Sequence, residues 1–234
     1  VGDPSRWLPN SVAVRRIYIF CEGQTEETFS NLVLEPHFRA LGAYDVRPLL
    51  LKRAGHKGGW TSYAAARHFM VKLILQQQNE ETLFTTLFDL YALPTDFPGF
   101  GDAPVGPALA RVQALEQLMD QDLSSAGARC FLGHLQLHEF EALLLSDCDA
   151  VEHAFPARKD AGAALRADIG HLAPEDVNEG PHTAPSKRII RRIPEYQGLK
   201  TSAGPIIAAE IGLNQLRAHC PHFDAWISKI EATL

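Results

Sequence analysis

Along the first 146 positions two apolar rhythms alternate. Residues 15–21 (RRIYIFC) form a short run rich in β-branched and aromatic side chains, which predicts a strand ending at Glu22-Gly23. Phe29, Leu32, Val33 and Leu34 then open the buried stripe of a helix. Thr25 is placed to cap it, Glu26 and Glu27 suit its first turn, and Pro36 should kink it or end its first half. A second strand is predicted over 44–51, a glycine-rich loop over 52–60 (KRAGHKGGW), and a helix over 61–78 with Tyr63, Ala66, Met70 and Leu73 at helical spacing. Residues 82–88 (TLFTTLF) predict a third strand ending at Asp89. The segment 91–107, with four prolines and three glycines, predicts an irregular loop. A helix follows over 108–120, with Leu109, Val112, Leu115 and Met119 in register. Then comes a fourth strand over 129–137, leading directly into His138-Glu139-Phe140-Glu141 and a helix through Leu145.

Four strand–helix alternations predict an α/β fold, a parallel four-stranded sheet with helices on both faces. Beyond position 147 the pattern turns helical, broken by a polar loop over 173–185. The expected organisation is an N-terminal arm at 1–14, an α/β core at 15–146, and a helical C-terminal extension at 147–234 packed on the core.

Composition narrows the function. With 46% hydrophobic and 21% charged residues in 234, the chain belongs with globular proteins of one domain or a domain and a subdomain. No apolar run reaches the roughly 18–20 residues that cross a bilayer, and positions 1–11 lack a signal-peptide pattern, so no membrane association is expected. Cys21, Cys130, Cys148 and Cys220 are scattered without a CxxC pair, which fits a reducing, cytoplasmic setting. The net charge of −6 argues against coating nucleic acid by bulk charge. It leaves room for an enzyme that holds phosphates through metal ions and a few local cations. The chain contains no GxxxxGK[ST], GxSxG or GxGxxG motif, which removes support for P-loop, serine-hydrolase and dinucleotide readings.

In open parallel sheets, functional groups gather at the carboxyl ends of strands. Glu22, Asp89, and Glu139 or Glu141 fall there, and Asp96 lies seven residues beyond Asp89. Such carboxylates repel one another unless a cation sits between them, and hard oxygen ligands suit Mg²⁺ or Mn²⁺. The plainer alternative makes Glu22 a helix cap and Asp89 a solvated turn residue. Candidate phosphate contacts are Lys187, Arg188, Arg191 and Arg192 in SKRIIRR, Lys200 at an expected helix start in GLKTSAG, and Lys57 in the glycine loop. A solvated helix face is the competing explanation for the SKRIIRR stripe. His138 would orient a carboxylate or act as a base, or simply be a hydrogen-bonded histidine at a strand end. Cys220-Pro221-His222 invites a metal reading, but without a partner pair in sequence it reads as a buried thiol before a helix start.

The run from Ile17 to Glu27 resembles the opening of Toprim domains, where a glutamate followed by glycine ends the first strand. Together with Phe88-Asp89-Leu90-Tyr91, Leu93-Pro94, Asp96-Phe97-Pro98-Gly99, His138 to Leu144 and Ser186-Lys187-Arg188, it resembles the Toprim-like bacterial group called domain of unknown function 4276, over roughly residues 15–230. That group is similar to overcoming-lysogenization-defect nucleases and is often encoded near ATPases in defence or mobile-element neighbourhoods. The resemblance implies a Toprim-like core and a divalent-metal phosphodiester site. Glu22 would be metal ligand or general acid/base and Asp89 the first aspartate. Tyr91 stands where the broader pattern has a second aspartate, and Asp96 or Glu139 would replace it. The implied function is a Mg²⁺- or Mn²⁺-dependent nuclease on DNA or RNA with an ATPase partner protein and, as an option, self-association. Under that reading Glu22, Asp89, His138 and Lys200 are catalytic, Glu22, Asp89, Asp96 and Glu139 hold metal, and Lys57, Lys187, Arg188 and Lys200 contact phosphate. A non-catalytic subunit docking on an ATPase and sensing a phage or nucleic-acid signal is the second reading. A phosphatase of small phosphoesters is the third.

Overall fold

The structure is a computed structural model, and it describes residues 13–51, 62–104, 106–177, 180 and 182–234. Most of the expected arm and the glycine loop with Lys57 lie outside the described residues.

Strand β1 (Arg16–Cys21) has parallel neighbours on both sides, β2 (Asp45–Leu50) and β3 (Thr82–Asp89). β1 leads into a helical rod made of α1 (Gln24–Phe29), a π-helical segment (Ser30–Leu34) and α2 (Glu35–Ala40). The other helices flanking the sheet in sequence are α3 (Tyr63–Gln77) and α4 (Ala108–Ser125). The fold is α/β, with helices on both faces of a parallel sheet ordered β2-β1-β3-β4 and a helical C-terminal part.

Side-chain alternation along β1 sorts the two cores. Ile17, Ile19 and Cys21 face one core with Phe29, Leu34 and Phe38 of the helical rod. Tyr18 and Phe20 face the other, with Met70 and Ile74 of α3 and Val112, Leu115 and Met119 of α4. This is the period-2 geometry of a strand buried on both faces.

The expected fourth strand is broken. Of the residues expected in it, two short pieces, β4 (Phe131–Leu132) and β5 (Leu135–Gln136), pair with β3 as strands. Between them, the Gly133 amide donates to Asp120 Oδ1 and the His134 amide to Thr86 Oγ1, so side chains take bonds a ladder would have used. At the helix after β1, Gly23 rather than Thr25 is the N-cap, and its amide donates to the Glu26 carboxylate, one half of a capping box. Pro36 sits in the first turn of α2, where its missing N–H costs little. Leu32 and Leu109, expected in buried stripes, are 48% and 43% exposed.

The C-terminal part comprises α5 (Glu141–Leu144), α6 (Cys148–His153), α7 (Ala161–Ile169), α8 (Pro185–Arg192), α9 (Tyr196–Ile211), α10 (Leu213–His219) and α11 (Pro221–Glu231). Its apolar residues join the core on the face of the helical rod: Leu143, Ile189, Tyr196, Ile207, Phe223 and Ile227 cluster with Ile17, Ile19 and Phe29. Trp226 also donates from Nε1 to Thr85 Oγ1 at the centre of β3, at 2.8 Å. These helices therefore cover a sheet face that the helical rod alone leaves open. Among the described residues no helix is long and apolar enough to cross a membrane.

Ile227 is fully buried in this shared core, whereas Ile206 on α9 is 59% exposed. Ile227→Ala should lower unfolding free energy by about 2–5 kcal/mol and Ile206→Ala by less than about 0.5 kcal/mol. Urea titration of the two variants measures the contrast.

Candidate metal centre

The strand order dictates where a site can form. From β1 the chain runs out to β2, then crosses back over β1 to β3, so the connections diverge between β1 and β3. A crevice opens at the carboxyl ends of such a pair. Glu22 directly follows β1, and Asp89 is the last residue of β3. The Asp89 amide donates to Glu22 Oε2 at 3.1 Å, which holds both carboxylates at one edge. They line a cavity of about 280 Å³ together with Glu26, Glu139, Glu141 and Lys200.

Each remaining wall has a local cause. Glu26 is brought in by the capping box, its Oε2 accepting from the Gly23 amide at 2.8 Å. Glu139 is fixed by α8: the Ser186 amide donates to Oε1 at 2.6 Å and the Ser186 hydroxyl to Oε2 at 3.0 Å. Glu141 opens α5, accepts from the Tyr196 hydroxyl at 3.3 Å and pairs with Lys200 Nζ at 3.1 Å. Gly204 sits where α9 packs against Phe140. A Cβ there would stand 3.0 Å from the Tyr196 hydroxyl and 3.4 Å from Phe140.

Among the described residues, five lining carboxylates face one lining ammonium. Burial, and next the neighbouring Glu26 and Glu22, push the Asp89 carboxyl well above its ordinary range. Burial pushes Glu26 up to about 7, with Glu141 adding to the rise. Glu141 is raised as well, by burial first and by Glu139, against the pull of Lys200. Asp89 Oδ1 is buried and has no hydrogen-bond partner. A buried acceptor left bare among like charges is what a cation would satisfy. The donors are all hard oxygens, so the residues fit Mg²⁺ or Mn²⁺ better than a softer metal. Glu22 and Asp89 are the residues that would hold such an ion, with Glu26, Glu139 and Glu141 in the same wall.

Several expected residues lie elsewhere. Asp96 is not a cavity residue: its carboxylate accepts from the Tyr63 and Ala64 amides and the Ser62 hydroxyl, holding the start of α3. His138 is buried in a left-handed backbone conformation, with Nδ1 on the Tyr91 hydroxyl and Nε2 on the Glu175 carbonyl, so both ring nitrogens serve the scaffold. Tyr91 therefore braces His138 and does not line the cavity. Arg188 donates to the Thr183 and Asp168 carbonyls, and Lys187 is exposed without lining the cavity. Lys200 reaches the cavity, but from the second turn of α9 and not from a helix start. Glu26 is the wall residue that sequence reasoning missed. Its place in a first helical turn explained it too cheaply, and its spacing of one turn from Glu22 was the available signal.

The chain belongs to the family described as Domain of unknown function (DUF4276), whose model matches residues 21–231. No curated protein matches it. Among solved structures, the C-terminal region of the Burkholderia pseudomallei OLD protein is similar. The identity is 16% over 94% of this chain and 100% of that one, and the TM-score is 0.46.

The raised carboxyls set a pH dependence for the metal-free protein. Glu26 has an ordinary value of 4.5 and about 7 when folded, so between those values the folded state holds more protons than the unfolded chain. Stability therefore falls as pH rises through that window, and Asp89 acts in the same direction. In EDTA, the melting temperature at pH 8 should lie below that at pH 5.5. Asp89→Asn should recover roughly 2–10 °C at pH 8, and saturating Mn²⁺ should do the same for the wild type. Calorimetric melts across pH check all three.

Proposed function

We propose that the chain is a divalent-metal-dependent, nuclease-like Toprim protein that cleaves phosphodiester bonds of DNA or RNA. The bare, buried Asp89 Oδ1 at the switch point between β1 and β3, amid carboxylates from separate elements, is the observation that carries this reading. The motifs shared with Toprim domains support the substrate class. They also underlie the setting we assign, a bacterial anti-phage defence or mobile-element system with an ATPase partner. The four cysteines are free and buried, in keeping with a reducing, cytoplasmic compartment.

An ion bound by Glu22 and Asp89 would neutralise charge on a phosphate and lower the pKa of a nearby water. The chain's own groups do the rest. Glu22, tethered to the Asp89 amide, keeps the two carboxylates in register. Ser186 uses amide and hydroxyl to hold Glu139 with its oxygens fixed. Lys200, paired with Glu141, brings an ammonium that can meet a phosphate oxygen as charge builds during cleavage. A cavity of this size has room for a phosphodiester and its ion.

Tyr91 in place of a second aspartate favours one alternative, a non-catalytic subunit that binds metal and docks on an ATPase as a sensor. The experiment separates the two. Purified protein with Mn²⁺ should cleave labelled DNA or RNA, and Glu22→Gln or Asp89→Asn should reduce the rate at least about 100-fold. Lys200→Met should reduce it by about 100-fold. Asp96→Asn should keep the rate while losing about 1 kcal/mol of stability. Cleavage that survives Glu22→Gln and Asp89→Asn refutes the nuclease assignment. Metal binding without cleavage transfers the case to the sensor.

A further inference from the structure

Away from the acidic cavity, three side chains distant in sequence meet beneath the last helix. Glu116 comes from α4, His134 from the break between β4 and β5, and His222 from the first turn of α11. Each offers one donor atom, and all three donors lie within 4.8 Å of one another. Glu116 Oε1 is 2.9 Å from His222 Nε2 and 3.5 Å from His134 Nδ1. Donors held at about 2.0–2.1 Å by one tetrahedral zinc ion stand roughly 3.3 Å apart, a spacing these two distances bracket.

The surroundings are built as supports for ligands. The Leu135 amide donates to Glu116 Oε1 at 2.9 Å. His222 also hydrogen-bonds the Leu135 backbone, and its own amide donates to Glu175 Oε2 at 2.8 Å. Second partners of this kind orient metal-binding histidines. The Trp226 ring stacks on His134 at 4.3 Å and the His222 ring lies against it at 5.0 Å, which fixes both imidazoles.

The protein groups alone satisfy His134 poorly. It is buried, its Nε2 has no partner, and its Nδ1 stands at the long 3.5 Å contact with Glu116. An ion held between Glu116 and His222 would take up the Nδ1 lone pair that this long contact leaves poorly satisfied. Two imidazoles and one carboxylate form a borderline donor set, unlike the all-oxygen wall of the acidic cavity.

We propose that Glu116, His134 and His222 form a second metal site, selective for a zinc-class transition-metal ion, that clamps α11 to α4 and to the β4–β5 break. It is independent of the nuclease reading, since none of its ligands lines the acidic cavity. The competing occupant is a proton on His222, which would leave a plain Glu116–His222 ion pair.

The full chain, freed of metal and titrated with Co²⁺, should give the intense visible bands of a tetrahedral ion, displaced by one equivalent of Zn²⁺. Zn²⁺ at about 100 times its dissociation constant should raise the melting temperature by roughly 5–10 °C. His222→Gln and Glu116→Gln should lose both signals, and the Glu22→Gln/Asp89→Asn double variant should keep them. Wild-type protein that shows neither tetrahedral bands nor a Zn²⁺ shift overturns the site. So do signals that persist in folded His222→Gln, or that vanish in the double variant. If His222→Gln and Glu116→Gln fail to fold, the wild-type and double-variant spectra decide.

Discussion

Mutual repulsion among carboxylates at the ends of β1 and β3 is the constraint around which this molecule is arranged. Glu22, Glu26, Asp89, Glu139 and Glu141 share one recess with, among the described residues, a single lining lysine. Left alone, such a group would push its elements apart or take up protons, and the raised carboxyls of Asp89 and Glu26 show the second response. The scaffold resists the first. A sheet buried on both faces fixes β1 beside β3, and α9, packed at Gly204 against Phe140, brings Lys200 in. The bare Asp89 Oδ1 among these carboxylates is where a cation would relieve the repulsion, as the proposed phosphodiester site would require.

The C-terminal helices are part of this device. Ser186 at the start of α8 clasps Glu139, Tyr196 and Lys200 of α9 bind Glu141, and both helices bury apolar residues in the same core as β1. The helical rod after β1 covers only part of that sheet face. The C-terminal helices complete the cover and, by the same packing, the site. Stability and chemistry are thus coupled through one set of contacts, with α11 anchored by Trp226 on Thr85 and by the cluster around His222.

Much was legible along the chain. Alternating apolar runs gave β1, β2, β3, α3 and α4 to within a few residues, because strands buried on both faces and long amphipathic helices write their period into the sequence. Glu22 and Asp89 stood out because several apolar strands each end on a carboxylate, although a helix cap or a solvated turn would explain either one singly. The break at Gly133-His134 was hidden, because side chains of Asp120 and Thr86 remote in sequence cause it. Asp96 misled for a related reason: its loop position suits a ligand and a helix-start acceptor equally, and only the position of α3 chooses between them.

Local sequence by itself determined the class of fold, the strand ends, and the acidic residues that terminate them, since period, β-propensity and turn chemistry act over a few residues. Tertiary structure alone decided which carboxylates meet, that Tyr91 and His138 bond each other, that Arg188 turns to backbone carbonyls, and that His222 finds Glu116 across 106 positions. Those outcomes depend on how whole elements dock. Docking is set by the summed packing of buried side chains in two cores, a quantity that no short window of residues contains.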